Sequence, residues 1–280
     1  MVCAALLDDR AVIALKGLGA RDFLQGLITN DIAGCDKGGA IYAALLTPQG
    51  KILFDFFVVA SGDDTWLLDC AAVRAGNLIK RLTLYRLRAK VEIAERRDLA
   101  VAAAWNDKAM LASNADVIAF GDPRLAALGV RAIGPREALI NAIATLPRGN
   151  YQDHRLALGV PDSADLPPDE VFALDAGMEE LHGVNFRKGC YVGQEVTARM
   201  KHRATARRRF VMVEVAGEMP APGTAIQSEG RELGTLATGN NGRALALVRL
   251  DRLAEAEEKH AAIRAAGRGV TLRKPDWIGG

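Results

Sequence analysis

The C-terminal quarter of the chain limits the possible folds more than any other part. From residue 208 onward, short apolar segments alternate with turns that are rich in glycine and proline. Short strands at this spacing are typical of a small antiparallel barrel or sandwich. The predicted strands are RRFVMVEVAGE, TAIQSEG, ELGTLATG, ALALVRL, AAIRAAG and VTLRKPDWI. We therefore predict an antiparallel β-barrel domain over residues 208–280, with a domain boundary near residues 205–210.

Region 1–207 combines strand and helix patterns in an irregular order. The predicted strands are AVIAL, DTWLLDC, KVEIAE and LAVAAAW, the predicted hairpin is AIYAALLTPQGKILFDFFVVA, and the predicted helices are ARDFLQGLI and AAVRAGNLIKRLTLYRL. Because strands and helices do not alternate regularly, we expect an α+β fold rather than a doubly wound parallel sheet. The stretch GVPDSADLPPDEVFALDAGM is rich in Pro and Asp and predicts a long loop across the surface.

Charge and hydropathy argue against several functional classes. The 36 Lys+Arg nearly balance the 34 Asp+Glu, and a net charge of +2 gives no global attraction to nucleic acid or membranes. No run approaches the roughly 18–20 apolar residues that span a bilayer. The first residues lack the basic start of a signal peptide, and Asp8 and Asp9 interrupt their apolar stretch. We therefore expect a cytoplasmic protein with no membrane partner.

The cysteines are scattered along the chain. They are Cys3, Cys35, Cys70 and Cys190, and none belongs to a CxxC pair. This pattern predicts neither a disulfide framework nor a metal site, and it favours a reducing compartment. Aromatic residues are few, which does not favour a stacking platform for single-stranded nucleic acid.

The segment GLGARD follows a predicted strand and opens a helix, as a dinucleotide-binding loop does. However, Asp22 stands where that fingerprint needs a third glycine, and no strand ending in an acid follows at the required distance. The better interpretation is a tight turn with Asp22 in the first turn of the helix, where a negative charge suits the helix dipole.

Asn30 and Asp31 are candidate site residues at the end of the first predicted helix, within LITNDI. They either cap or turn the chain there, or they present a polar pair at the mouth of a pocket.

Asp55 is a candidate because it lies among apolar residues of the predicted hairpin. A carboxylate in such a setting needs a partner or an edge position. Strict alternation places Asp55 and Phe57 on one face of the strand, and Ile52, Phe54 and Phe56 on the other. Asp55 is therefore either a site carboxylate or the partner of a neighbouring strand.

The segment RKGCYVGQEV around Cys190 is the most informative motif. Gly189 and Gly193 allow the backbone to turn sharply or to approach a ligand closely. Arg187 and Lys188 would lower the pKa of the Cys190 thiol if they lay close to it, as would the N-terminus of a helix predicted from VTARMKHR. Alternatively, Cys190 is a small buried residue in a tight loop, as most free cysteines are. No His has a sequence relationship to it that indicates a thiol hydrolase.

A basic cluster follows at the predicted domain boundary. It comprises Arg199, Lys201, His202, Arg203, Arg207, Arg208 and Arg209. Such a cluster is either a solvated linker or a clamp for carboxylates or phosphates, for which Arg side chains are well suited. A ligand held between two domains is the common geometry of such a clamp.

The octapeptide KGCYVGQE, followed by TAR, resembles the signature of the YgfZ family. These folate-binding proteins support iron–sulfur cluster enzymes, and they include the mitochondrial iron–sulfur assembly factor of that type. FLQGLITND, TPQGKILFD, RLALGVP, ALALVRLD and RKPDWI resemble other segments of the family in the same order. The resemblance runs over nearly the whole chain, and the octapeptide is its most specific part.

The sequence also resembles the aminomethyltransferase of the glycine cleavage system, a wider relative. This resemblance implies an α+β body that encloses a tetrahydrofolate pocket, followed by a C-terminal β-barrel. The transferase hairpin carries paired acids after Gly-x-Ile-x, the first of which serves catalysis, whereas the matching pair here is Phe54-Asp55. Because a phenylalanine can neither orient nor deprotonate an amine, the departure puts aminomethyl transfer in doubt and leaves folate binding implied.

Together the motifs predict a folate-binding accessory protein for the assembly or repair of iron–sulfur enzymes. The resemblance implies tetrahydrofolate or a derivative as cofactor, and iron–sulfur client enzymes or cluster carriers as partners. It also implies a functional Cys190, which can bind iron or sulfur transiently or carry a one-carbon or redox adduct. The predicted folate and signature contacts are Asn30, Asp31, Asp55, Lys188, Gln194, Glu195 and Arg199. Since Cys190 is the single cysteine in a candidate site, we predict no stable cluster held by one monomer alone.

Two alternatives remain open. A folate-dependent one-carbon transferase or demethylase would need Asp55 in place of the missing acid. A protein associated with tRNA modification, a role also linked to the family, would bind RNA through the basic cluster, although the near-zero net charge argues against it.

Overall fold

The computed structural model describes residues 1–62, 64–106, 109–203, 207–215 and 217–279. The strands in these ranges are β1 (Cys3–Leu6), β2 (Arg10–Lys16), β3 (Ala40–Leu46), β4 (Ile52–Ala60), β5 (Thr65–Ala71), β6 (Glu92–Glu95), β7 (Leu99–Trp105), β8 (Ile118–Gly121), β9 (Val130–Pro135), β10 (Arg208–Val215), β11 (Ala225–Ser228), β12 (Arg231–Asn240), β13 (Arg243–Arg249), β14 (Ile263–Ala265) and β15 (Arg268–Arg273). The α-helices are α1 (Ala20–Gln25), α2 (Ala72–Arg86), α3 (Arg136–Ala142), α4 (Tyr151–Ala157), α5 (Gln194–His202) and α6 (Leu250–Glu258), and 3-10 helices occupy Ile32–Gly38 and Ala126–Leu128.

A five-stranded antiparallel sheet with the order β3-β4-β5-β2-β6 forms the centre of the body. One face packs against α1 and α2, whose residues Leu24, Leu78 and Leu82 are buried there. The opposite face, which includes Val12 and Phe57, packs against a second antiparallel sheet with the order β1-β7-β9-β8. The first sheet therefore lies between a helical layer and a second sheet, and this arrangement agrees with the predicted α+β fold.

The β3–β4 hairpin is present as predicted, but it departs from strict alternation at one point. The pairing shifts between Leu45 and Leu46, so that Leu45 pairs with Phe54 and Leu46 with Ile52. This β-bulge places Ile52 in the cluster on the Asp55 side, away from Phe54. The prediction that Ile52 and Phe54 share a face is therefore wrong, because the extra residue in a bulge reverses the alternation.

The stretch from residue 159 to residue 178 is irregular, but it is not the surface loop that its composition predicts. Val160, Leu166 and Val171 are buried in the core between the sheets and the barrel. The Ile52 N–H donates to the Val171 carbonyl (2.9 Å), and the Thr238 N–H donates to the Asp165 carboxylate (2.9 Å). The prediction failed because these apolar residues follow no strand or helix period, so their burial leaves no periodic signal.

The C-terminal domain is a closed barrel with the order β10-β13-β12-β11-β14-β15. Helix α6, which the sequence analysis did not predict, follows β13 and buries Leu253 and Ala256 against the barrel core. On the side toward the body, Phe210 and Leu245 join the central core. Residues 204–206, at the predicted domain boundary, lie outside the described ranges.

Candidate functional site

Cys190 lies in an exposed turn that leads into α5. Gly193 precedes the helix with a φ of 81°, a conformation that residues with a Cβ rarely adopt. A Cβ at Gly193 would lie 2.5 Å from the carbonyl oxygen of Thr47, next to the β3–β4 turn. This glycine is therefore required both by its backbone conformation and by the close approach of the hairpin.

Lys188 anchors the turn on the other side of Cys190. Although a lysine, it is only 7% exposed. Its ammonium donates to the carbonyl oxygens of Gln25 (2.8 Å), Ile28 (2.6 Å) and Asn30 (2.9 Å), at the end of α1 and just beyond it. Burial lowers the pKa of Lys188 to about 8, against the opposing charge of Asp31. These carbonyls use the three N–H donors of the ammonium and leave none for the Cys190 thiol.

The residues after Cys190 also hold the turn in place. Tyr191 is buried, and its ring lies 5.2 Å from the Lys188 ammonium. The Tyr191 N–H donates to the Gln194 side-chain oxygen (3.3 Å), and the Thr197 hydroxyl donates to the Gly193 carbonyl (3.0 Å). Cys190 is therefore an exposed thiol between two buried anchors.

The other cysteines have different environments. Burial raises the pKa of Cys35 and of Cys70 to about 12, and Cys35 donates to the Val58 carbonyl (3.2 Å). Cys3 is partly exposed near the start of β1. Because the thiolate is the reactive form, the buried Cys35 and Cys70 are unreactive.

The side chains of Asn30 and Asp31 both form hydrogen bonds with backbone groups, as the capping alternative predicts. Asn30 donates to the carbonyl oxygens of Tyr42 (2.8 Å) and His182 (2.7 Å). Asp31 accepts from the Ala33 N–H (3.0 Å) at the start of the 3-10 helix. Through the Lys188 contacts, these two residues and the signature turn form one connected unit.

An open groove of about 420 Å³ runs beside this unit. Its lining includes Asn30, His182, Asn185, Phe186, Arg187 and Lys201. The Lys201 ammonium lies 4.1 Å above the Phe186 ring and pairs with Glu179. The groove thus combines an aromatic ring, amides and cations three residues from Cys190.

Asp55 lies in the interior, away from this unit. Its carboxylate accepts from the Ser163 hydroxyl (2.6 Å) and the Tyr42 hydroxyl (3.1 Å), and it is buried. Phe54, at the position where the transferase resemblance places a catalytic acid, packs on the opposite, helix-covered face. Of the other predicted contacts, Glu195 and Arg199 are exposed on α5.

Three buried arginines, which the sequence analysis missed, surround the space beside Asp55. Arg10 and Arg131 each bind Asp69 (2.6 Å), and Arg124 binds Asp122 (2.7 Å). The space that they enclose is about 10 Å³, roughly the volume of one water molecule. The sequence does contain an indication of this buried ionic cluster. Asp69 interrupts the apolar strand TWLLDC, just as Asp55 interrupts its own strand.

The basic cluster is partly neutralised by acids. Lys201 pairs with Glu179, Arg208 with Asp175 (3.3 Å) and Arg209 with Glu180 (3.3 Å). Pairing of this kind reduces the positive field that a nucleic acid would meet.

The described ranges contain no group of three or more His, Cys, Asp or Glu side chains placed to hold a metal ion. Within the same ranges, no helix has the length and apolar character that a membrane span requires.

The fold matches two domain families and a solved structure. Residues 8–104 match the GCVT N-terminal domain, and residues 207–280 match the CAF17 C-terminal beta-barrel domain. The crystal structure of glycine cleavage system aminomethyltransferase T from Bartonella henselae superposes with a TM-score of 0.76 at 16% identity, covering 99% of this chain and 86% of that one. The aminomethyltransferase-like fold with a C-terminal barrel is therefore confirmed.

Curated relatives match over most of their length. The mitochondrial iron–sulfur cluster assembly factor IBA57 of Homo sapiens is 31% identical, and the match covers 97% of this chain and 84% of the relative. The Mus musculus protein of the same name is 30% identical, with 88% and 77% covered. On this similarity, the chain belongs to the IBA57 family of iron–sulfur cluster assembly factors.

Proposed function

We propose that the chain supports the assembly or repair of iron–sulfur enzymes by presenting the Cys190 thiol to iron or sulfur. One observation carries this proposal. The Cys190 side chain is exposed, whereas Lys188 and Tyr191 on either side of it are buried and hold the turn in place. A thiol that only packed would be buried, as Cys35 and Cys70 are.

The proposal requires ligands from a second molecule. Iron in clusters is held by several thiolates, and the described residues contain no group of three or more His, Cys, Asp or Glu placed to hold a metal ion. A client enzyme or a cluster carrier therefore supplies the remaining ligands, and binding at Cys190 is transient. Because all four cysteines are free, we place the protein in a reducing compartment and keep the cytoplasm as the proposed one.

Complementation in a deletion strain of the host tests this function. The activity of an iron–sulfur enzyme and of a cluster-free enzyme is measured after re-supply of wild type, Cys190→Ser or Cys3→Ser. We expect wild type and Cys3→Ser to restore the iron–sulfur enzyme, and Cys190→Ser to leave it at the deletion level. Full restoration by Cys190→Ser would remove the thiol from the proposal. An unaffected iron–sulfur enzyme in the deletion strain would contradict the function itself.

Folate binding is a separate part of the proposal, and the interior does not accommodate it. The space beside Asp55 holds about 10 Å³, whereas ligand pockets usually measure about 300–1,000 Å³. The groove beside Asn30, at about 420 Å³, is large enough. Phe186 offers an aromatic surface, and Arg187 offers a cation that matches a folate carboxylate. We therefore assign the predicted folate to this groove.

Calorimetric titration with 5-formyltetrahydrofolate tests the assignment. Arg187→Glu should weaken binding by roughly tenfold or more, because a charge-assisted hydrogen bond is replaced by repulsion. Ser163→Ala, beside Asp55, and the remote Arg97→Glu should bind like wild type. Equal affinity of Arg187→Glu and wild type would overturn the groove, and absence of binding by wild type would overturn the cofactor. Neither result affects the test of Cys190.

The two alternative functions find no support in the geometry. A transferase that uses Asp55 needs room for a substrate, and the carboxylate is enclosed by Tyr42, Ser163 and the arginines. An RNA-associated function needs free cations, and three members of the basic cluster are paired with acids.

A further inference from the structure

The segment from residue 72 to residue 91, which forms α2 and the turn after it, has an unusual charge composition. Its sequence AVRAGNLIKRLTLYRLRAKV contains six Lys or Arg and no Asp or Glu. The other 260 residues hold the remaining 30 of the 36 Lys+Arg and all 34 Asp+Glu. The net positive charge of the chain thus comes from this one segment, which no part of the proposed function uses.

The outer face of α2 is also apolar in places. Ala75, Leu78 and Leu82 face the sheet and are buried. On the opposite side, Val73 is 90% exposed and Leu84 is 71% exposed. With 3.6 residues per turn, positions 73, 77, 80 and 84 lie on one stripe about 16 Å long. Two apolar side chains and one lysine therefore project into solvent along this stripe.

The turn after α2 extends the exposed apolar surface. Leu87 is 89% exposed and holds a φ of 42°, a backbone conformation that residues other than glycine rarely adopt. Leu18, 82% exposed, is next to this turn, because the flanking Gly17 and Gly19 both lie against the backbone of Lys90. Leu18, Leu84 and Leu87 are thus three projecting leucines at one end of α2.

The cations around these leucines have no acidic partners. In the described part of the chain, Lys80, Arg81, Arg88 and Lys90 form no ion pair with a carboxylate. Elsewhere on the surface many cations are paired, such as Arg96 with Asp98, Arg231 with Glu255 and Arg268 with Glu218. The acids nearest along the chain, Asp69 and Glu92, lie outside the segment, and Asp69 is already bound by Arg10 and Arg131. We call the surface of Leu18, Leu84, Leu87, Lys80, Arg81 and Arg88 the basic leucine patch.

We infer that the basic leucine patch binds reversibly to the surface of a membrane that contains anionic phospholipids. This inference departs from the expectation of no membrane partner, which rested on the net charge of the whole chain and not on the charge of this segment. Exposed leucines enter the headgroup boundary, and Lys and Arg beside them bind the lipid phosphates. The shape favours a lipid surface, because the outer face of a helix is convex and its leucines project outward. RNA is less suited to the patch, since the side chains that project are aliphatic and offer no ring for base stacking.

Sedimentation of the full chain with vesicles tests this inference. We expect binding to vesicles of phosphatidylcholine mixed with phosphatidylglycerol, little binding to phosphatidylcholine alone, and a loss of binding as salt rises. Lys80→Glu with Arg81→Glu should lower the bound fraction, by about fivefold in affinity for each cation removed. Leu84→Gln with Leu87→Gln should weaken binding at high and low salt alike.

Matched variants separate the patch from general surface properties. Arg97→Glu and Met110→Gln change an exposed cation and an exposed apolar side chain elsewhere, and they should bind like wild type. Circular dichroism spectra of all variants should coincide. Wild-type affinity of the patch variants for anionic vesicles would overturn the inference. The inference would also be overturned if wild type did not bind vesicles. A complex with tRNA or with an acidic protein that the patch variants weaken would then identify the partner of the patch instead.

Discussion

Lys188 and Cys190 are two residues apart, yet their side chains have opposite environments. The ammonium is buried against the carbonyl oxygens of Gln25, which ends α1, and of Ile28 and Asn30 beyond it, whereas the thiol is exposed. Four carbonyls at a helix C-terminus lack partners within the helix, so a cation is well placed there. Lys188 therefore acts as a structural anchor that fixes where Cys190 is presented.

Replacement of Lys188 by Met should destabilise the protein. The variant keeps the apolar stem but leaves buried carbonyls such as that of Ile28 without their donor, which costs about 1–3 kcal/mol. Urea denaturation measures the loss, and reaction of Cys190 with a thiol reagent should change in rate because the turn loosens. Lys201→Met, which removes an exposed ion pair, should change stability by less than about 1 kcal/mol. Equal stability of the two variants would contradict the anchor.

The pKa of Lys188 predicts a pH dependence. Burial lowers this pKa to about 8 from the 10.5 of an exposed lysine. Between these values the unfolded chain binds more protons than the folded chain, so this group makes the protein more stable as pH rises through that window. Below about pH 8 both states are protonated and the full penalty for the buried charge remains. The free energy of unfolding of wild type, relative to Lys188→Met, should therefore rise between these pH values, and a constant difference would refute the assignment.

At the scale of single residues, the sequence predicts candidate residues but not their hydrogen-bond partners. Both the capping and the pocket alternatives for Asn30 followed from the sequence, and the hydrogen bonds show that it bridges two carbonyls. The partners of Lys188 could not be predicted, because they lie about 160 residues earlier in the chain. Ser163, one of the two hydrogen-bond partners of Asp55, lies 108 residues later in the chain.

The two glycines of the signature turn have different surroundings. A Cβ at Gly193 would lie 2.5 Å from the Thr47 carbonyl, whereas a Cβ at Gly189 would meet nothing within 4 Å. Only Gly193 has a positive φ. The motif thus contains one glycine that the fold requires and one that it does not.

This difference predicts unequal effects of two Gly→Ala changes. Gly193→Ala should lower stability by about 1–3 kcal/mol, because strain at a positive φ adds to a collision with the hairpin. Gly189→Ala should be close to neutral, within about 0.5 kcal/mol. Thermal unfolding of both variants, compared with wild type, is the measurement. A larger loss for Gly189→Ala would show that this glycine approaches a partner or ligand instead.

Most strands could be predicted because the apolar pattern of each one can be read within a short segment of the sequence. β2 to β7 follow segments whose alternation or apolar content is visible in the sequence. The β-bulge before Phe54 was not, since it depends on the register with β3. Likewise, residues 159–178 owe their burial to the barrel and to β4, and no short window of sequence contains that information.

At the scale of the whole molecule, a buried ionic network joins the two sheets of the body. Asp69 on β5 of the first sheet binds Arg10 on β2 and Arg131 on β9 of the second sheet. Tyr151 on α4 contacts Arg124 and Asp122 of the same interior. The human and mouse relatives carry the IBA57 name, so membership of the YgfZ family remains a prediction. The chain has the fold of glycine cleavage system aminomethyltransferase T, and charged side chains fill the space beside Asp55.

Asp69→Asn should therefore lower the free energy of unfolding of the protein, because Asp69 joins the two sheets of the body. It leaves the buried Arg10 without its carboxylate and Arg131 with only the more distant Asp122 (3.9 Å), a loss of about 3–5 kcal/mol near neutral pH. Asp98→Asn, at an exposed pair with Arg96, should cost less than about 1 kcal/mol.

Acid should reduce the difference between wild type and Asp69→Asn. Burial alone would raise the pKa of Asp69, but the charges of Arg10 and Arg131 outweigh it and hold this pKa below its usual 3.8. The stabilisation is therefore complete above about pH 4 to 5 and is lost as pH falls through the lower pKa of the folded state. Urea denaturation of both proteins from neutral to acidic pH measures the change. A difference that stays constant down to the acid transition would show that Asp69 stabilises the sheets by packing and not by charge.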